Sequence, residues 1–265
     1  MKTMKKWAVS LFGSVLLLYA AAFSALAAAG KPAPGAVMDI SKENTYPNPT
    51  QDLPHLEPSS FTKQLLRSAN VKIENPELIH LFNESSATDT PWAIGFRATI
   101  YLGQWPLNYQ SIETSTNWEY QKVNTNFLDN RGGDTAQKLY YKQEMQKYVR
   151  GGLTVKVPNE DAVKRMMLNK AMEKTNLPLS FSTVVGLGTK KDQPYNVPAK
   201  KIGYLYAYAP AVNEKGKVTY GEVYVVLKGN KKKIVVKNVT TRGVGAWIPV
   251  QDRLYMSYVV SEQPR

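Results

Sequence analysis

The 265 residues include no cysteine, and 34 lysines and arginines against 21 aspartates and glutamates give a formal net charge of +13. Without thiols there can be no disulfide, no thiolate nucleophile and no cysteine-held zinc. The length is ample for one large domain or two small ones with a proper core, and the core must do the stabilising by itself.

The chain opens with Lys2, Lys5 and Lys6, then carries no charge until Lys31. Inside that interval "VLLLYAAAF" is an apolar centre of about nine residues, followed by Ser24 and the small-x-small ending Ala25-Leu26-Ala27. These are the three parts of a secretory signal, so residues 1–27 read as a signal peptide cleaved after Ala27, with Ala29 nearly as good a site. The alternative is an uncleaved membrane anchor, because the uncharged interval reaches the roughly 20 residues that a span needs. No later stretch could cross a bilayer. Residues 28–58 hold Pro32, Pro34, Pro47, Pro49, Pro54 and Pro58 with few large aliphatic side chains, which reads as an extended tether rather than packed structure.

Residues 59–265 read as a β-rich α+β domain, with two halves that could meet near 159–176. A short helix is expected over 59–69, capped by Ser59 or Ser60. A second follows Asn75 as cap, with Pro76 at the first helical position and Glu77 in the first turn. From Trp92 the pattern is that of strands, as is the stretch 112–127, rich in β-branched and aromatic residues. "DNRGGD" is a turn. Residues 135–149 fit either a helix begun by Asp134 or strands carrying Tyr140, Tyr141, Tyr148 and Val149, and strands are preferred. "NEDAVKRMMLNKAMEKTN" is a helix capped by Asn159, with Val163, Met166, Met167 and Ala171 on one face. Strands are then expected over about 180–188, 201–212, 218–228, 233–242 and 253–261, with "NEKGK" and "KGNKKK" as the intervening turns. The predicted class is α+β, predominantly antiparallel sheet with a few short helices.

Catalytic constellations are scarce. His55 lies in the proline-rich segment, and His80, in "LIHLF", reads as a partly buried helix histidine. His80 and Glu84 could share a helix face, but a catalytic zinc wants three protein ligands and no third is signalled. "SFTK" matches Ser-x-x-Lys without the companion elements of penicillin-binding enzymes. Glu113 and Glu119, if on one strand, stand about 20 Å apart, beyond the roughly 5–9.5 Å of a glycosidase pair. Glu119 could meet Asp129 or Asp134 only through the fold. "VVGLGTKK" is neither a Walker loop nor a complete dinucleotide motif and reads as a glycine turn. No cofactor and no metal are expected.

Charge is the informative feature. Residues 187–265 hold 14 basic and 5 acidic groups, a balance of +9, while residues 28–186 are nearly neutral. Lys228, Lys231, Lys232, Lys233 and Lys237 form the densest cluster. Its ordinary reading is a solvated hairpin tip whose lysines discourage edge pairing. The sharper reading is the leading edge of a polyanion-binding face, joined by Lys190, Lys191, Lys200 and Lys201 if folding gathers them.

The leader, the "YPNPTQDLP" entry, the "TPWAIGFRATIYLGQWPLNY" region and the "GAWIPVQDRLYMSYVVSEQ" ending together resemble the YfkD-like proteins of Bacillus and relatives over essentially the whole chain. The resemblance implies an exported or membrane-associated Gram-positive protein and supplies no catalytic or ligand residues. The expectation is therefore a non-enzymatic envelope protein, extracellular or envelope-associated, whose basic last third contacts anionic wall polymer or lipid headgroups and not nucleic acid. The alternatives are a wall hydrolase using carboxylates and a membrane-tethered partner protein.

Overall fold

A computed structural model describes residues 36–49, 57–85, 97–229 and 231–265. The leader with Ala25 and Ala27, as well as His55 and Trp92, lies outside them. The elements in chain order are β1 (Val37–Asp39), α1 (Ser60–Ser68), α2 (Pro76–Glu84), β2 (Arg97–Asp129), β3 (Gln137–Lys142), β4 (Lys147–Arg150) and β5 (Gly152–Leu153). They continue with α3 (Glu160–Thr175), β6 (Ser182–Val185), β7 (Lys190–Val197), β8 (Ile202–Lys228), β9 (Lys231–Pro249) and β10 (Arg253–Ser261). The α+β class with mostly antiparallel strands is as the sequence indicates, and residues 135–149 form strands.

The spine is β8, 27 residues long. Its entire length pairs antiparallel with β2, itself 33 residues. On its other flank β10 pairs with residues 202–208 and β9 with residues 211–228. The "NEKGK" segment is therefore no turn. Lys215 forms an ion pair with Glu113 at 3.0 Å, and Glu214 turns inward, so the ladder continues through Gly216 on both sides. Gly216 is needed there because a Cβ would come within 2.5 Å of the Tyr109 hydroxyl and 2.2 Å of the Gln110 carbonyl. Turn-forming residues express a local propensity, and pairing along two flanks overrides it.

Three apolar clusters coat this spine. Leu205, Ala207 and Ala209 pack with Leu139, Tyr141, Val149, Val185 and Val197 of the smaller two-stranded sheets β3–β7 and β4–β6. Val212, Val218 and Tyr220 meet Val163, Met166, Met167 and Ala171 of α3. Val223, Ile234 and Val236 meet Leu65, Leu78 and Phe82 of α1 and α2. Because alternate strand residues point to opposite faces, α3 sits on the even-numbered face of β8 and the other two coats on the odd-numbered face.

The helix ends follow local chemistry in two cases of three. Ser59 Oγ accepts from Thr62 N at 3.1 Å, and Asn75 Oδ1 accepts from Glu77 N at 2.9 Å. Asn159 does not cap α3: it is left-handed at φ 50° and its amide donates instead to the Gln104 carbonyl at 3.3 Å. "VVGLGTKK" makes the turn from β6 into β7, with Gly188 at φ 85°.

Over 36–49 the segment read as an extended tether is docked, and only Val37–Asp39 is strand. A turn follows, in which Glu43 N and Asn44 N donate to the Ile40 carbonyl at 3.0 and 2.7 Å. β1 pairs with β10, and Ile40 is fully buried. Two asparagine side chains then stand in for a neighbouring strand. Asn48 Oδ1 accepts from Val184 N while its amide donates to the Val184 carbonyl, both at 2.9 Å, and Asn44 Oδ1 accepts from Gly186 N. Both amides also donate to Asp252 Oδ1. Proline content forecasts neither the turn after Ile40 nor the side-chain amides that satisfy an exposed edge.

Burial raises the phenol pKa values of Tyr109 and Tyr141, with the Glu214 carboxylate adding to the effect at Tyr109. A raised folded-state value means that the contribution is complete below the ordinary phenol pKa of about 10 and fades as pH rises above it. Stability measured in urea should hold level from about pH 8 to 9.5 and then decline, and Tyr141→Phe should make that decline shallower. A flat profile to pH 11.5 would contradict the burial of these hydroxyls.

Candidate anion-binding face

The hairpin joining β8 to β9 closes with Lys228 opposite Lys231, turning through Gly229 at φ 54°. Arg97, the first residue of β2, stands opposite Lys228 on the other flank. Three cations thus lie side by side across three adjacent strands. Like charges directly opposite one another destabilise a sheet. Lysines that merely guard an edge do not account for this row, because at its centre Lys228 has a partner strand on both sides.

By strand alternation Lys233 and Lys237 share the face of that row, together with Thr99, Tyr101, Glu222, Tyr224, Val226 and Val235. Tyr101 and Tyr224 lie with ring centres 5.0 Å apart, and the Lys237 ammonium stands 5.0 Å from the Tyr224 centroid. Glu222 accepts the Tyr224 hydroxyl at 2.8 Å. Hydrogen bonds from Asn238 and then Tyr224, and the charge of Lys237, hold its carboxyl below the usual range. Lys232 points to the opposite face, 5.2 Å from the Phe61 ring of α1. Four of the five predicted lysines therefore share one face, the fifth does not, and Arg97 joins them. No local signal could have found Arg97, which lies 131 positions before Lys228 in the chain.

The ion pairs of the described residues lie elsewhere. Lys191 is bound to Glu43 at 2.7 Å, Lys200 to Asp134 at 2.8 Å and Lys201 to Glu262. Lys191 belongs to β7, and Lys200 and Lys201 stand just before β8, whose 27 residues put those two on the order of 80 Å along the strand from Lys228. Folding does not gather them with the tip. Among the described residues, Arg97 and the five tip lysines enter no salt bridge, and Glu222 is the one carboxylate within residues 97–105 and 221–238.

The other candidates fall into ordinary roles. His80 is exposed rather than partly buried and lies 3.1 Å from Glu84. Ser60 and Lys63 of "SFTK" are exposed first-turn residues of α1. Asp129 is bound by Arg131, and that contact, with a backbone hydrogen bond, lowers its carboxyl to about 2. Asp134 is taken by Lys200 and Glu113 by Lys215. A cleft of about 420 Å³ at the start of α3 gathers Glu77, Glu160, Asp161 and Trp105. There Glu77 pairs with Arg165 at 3.4 Å and Glu160 with Lys164 at 2.7 Å. Among the described residues no three His, Asp or Glu side chains are placed to hold a metal ion, and no helix is long and apolar enough to cross a membrane.

The family described as "YfkD-like protein" matches residues 34–265. A protein of Bacillus subtilis (strain 168) named "Uncharacterized protein YfkD" is 63% identical over 232 residues, 88% of each chain. The crystal structure of Lamprey immune protein aligns with 63% of this chain and 54% of that one at 8% identity, with a TM-score of 0.25. A likeness that slight carries no argument.

Proposed function

The chain belongs to the YfkD-like family, and we propose that this member is an exported, non-enzymatic protein that holds to the fixed negative charge of the cell envelope through its basic hairpin tip. The observation that supports this reading is the row Arg97–Lys228–Lys231, with Lys233 and Lys237 on the same face and no ion pair among the described residues. Packing such a row costs stability, and a bound polyanion offsets that cost. The leader supports export, since beyond the cytoplasmic membrane the abundant polyanions are wall polymers and lipid headgroups. N-terminal sequencing of protein recovered from the envelope should begin at Ala28 or Gly30.

Binding to isolated envelopes, with wall and membrane together, tests the reading. It should fall at least tenfold as ionic strength rises from about 0.01 to about 0.15 M, where the screening length shrinks from about 30 to about 8 Å. A variant with Lys228, Lys231 and Lys233 changed to Ser should bind weakly even at low salt, whereas Lys190→Ser and Lys200→Ser should change little. Equal binding by the triple variant, or salt-independent binding, would remove the basis of the proposal.

A further inference from the structure

The same tip carries apolar groups that contact with a hydrated polymer does not explain. Tyr101 is 55% exposed beside the lysines and Ile100, on the opposite face of β2, is 46% exposed. Val225, Val226 and Val235, in the strands alongside, are half-buried. The covering helices reach Ile234 and Val223 but leave Ile100 open. The end of the β2–β8–β9 ribbon thus presents apolar side chains on both faces, ringed by Arg97, Lys228, Lys231 and Lys233, with Lys232 extending the positive charge to the second face.

Resting on the reading above, we propose that the partner of this tip is an anionic lipid bilayer, into whose headgroup layer the ribbon end dips. Charge complementarity attracts the tip, since each lysine or arginine near an anionic bilayer contributes about 1 kcal/mol, or about fivefold in affinity. Tyrosine suits the boundary because its ring is apolar and its hydroxyl is wet. Lysine stems lie along apolar surface while the ammonium stays with the phosphates. Ile100 and Tyr101 gain only if an apolar phase receives them. A polyol phosphate or a glycan provides anions without such a phase.

The full chain without its leader should sediment with vesicles of phosphatidylglycerol and phosphatidylcholine, and not with phosphatidylcholine alone. The triple Lys228, Lys231 and Lys233 to Ser variant should lose roughly a hundredfold, three charges at about fivefold each. Ile100→Ser with Tyr101→Ser should lose about tenfold on vesicles and nothing on purified, lipid-free wall. Because the chain has no cysteine, I100C takes a single polarity-sensitive dye. Its emission should shift to the blue with the anionic vesicles and stay unchanged with lipid-free wall, a readout that needs no destabilising substitution. Binding to wall without binding to vesicles would overturn the lipid assignment and leave the envelope reading standing. Vesicle binding without a dye shift would equally overturn insertion, and binding to neither would overturn both readings.

Discussion

Replacing Glu214 by alanine should lower folding stability by about 3 kcal/mol and the melting temperature by about 6–12 °C. Glu214 is fully buried on the α3 side of β8. Its carboxylate accepts the Tyr109 hydroxyl at 2.8 Å and the Thr114 hydroxyl at 2.6 Å. Ser111 donates toward the Tyr109 oxygen and accepts from Lys174 Nζ at 2.7 Å. A chain of hydroxyls thus links a buried negative charge to an exposed ammonium. Alanine strands the buried Tyr109 donor and leaves a cavity, whereas Glu214→Gln keeps the volume and one acceptor and should cost about 1 kcal/mol. Adding Tyr109→Phe to Glu214→Ala should recover part of the loss, since the stranded hydroxyl is then gone. Urea unfolding of the wild type, these three variants and Tyr109→Phe alone measures this. Additive losses would show that the two side chains are not coupled.

Asn130→Asp should be harsher still, at about 3–5 kcal/mol at neutral pH. Asn130 follows β2 and is almost wholly buried. Its Nδ2 donates to three carbonyl oxygens, those of Thr135, Val197 and Pro198, at 2.9, 3.1 and 3.0 Å. Its backbone accepts from Lys200 N and donates to the Lys201 carbonyl, so one residue ties the β2 end to the β7–β8 connection. Its Oδ1 has no partner and lies so near Gly133 that a Cβ there would sit 2.0 Å away. A carboxylate would face three carbonyls with no donor for either oxygen. Its folded pKa would rise above the ordinary value, so the deficit is complete above that raised value and shrinks as pH falls through it, when the acid can donate to one carbonyl. Asn130→Ala removes the bonds without adding the charge, so it should cost less at pH 7 and show no such recovery in acid. Thermal melts of both variants at pH 7 and pH 4.5 decide the matter. A pH-independent deficit for Asn130→Asp would mean that the carboxylate is not held against the carbonyls.

What could be read from the chain beforehand followed interaction range. The Ser59 and Asn75 caps join groups two or three residues apart, and the buried stripe of α3 repeats every three or four. The Gly229 turn is equally local, and the charge excess needs no geometry. Local propensity is overridden where the deciding partner is remote. Asn159 was diverted from its cap by a carbonyl on β2, 55 positions away. His80 is exposed because the buried positions of α2 are Leu78 and Phe82.

The sequence by itself determined the α+β class, the stops and starts of α1 and α2, the closing turn of the β8–β9 hairpin and the clustering of lysines around it. Tertiary structure alone decided that "NEKGK" runs straight, that residues 36–49 are docked by Asn44 and Asn48, and that Arg97 completes a cationic row with Lys228 and Lys231. The physical reason is that propensities act through neighbours in the chain, whereas the β2–β8 ladder joins residues about a hundred positions apart. There each strand's course is set by what the other offers it.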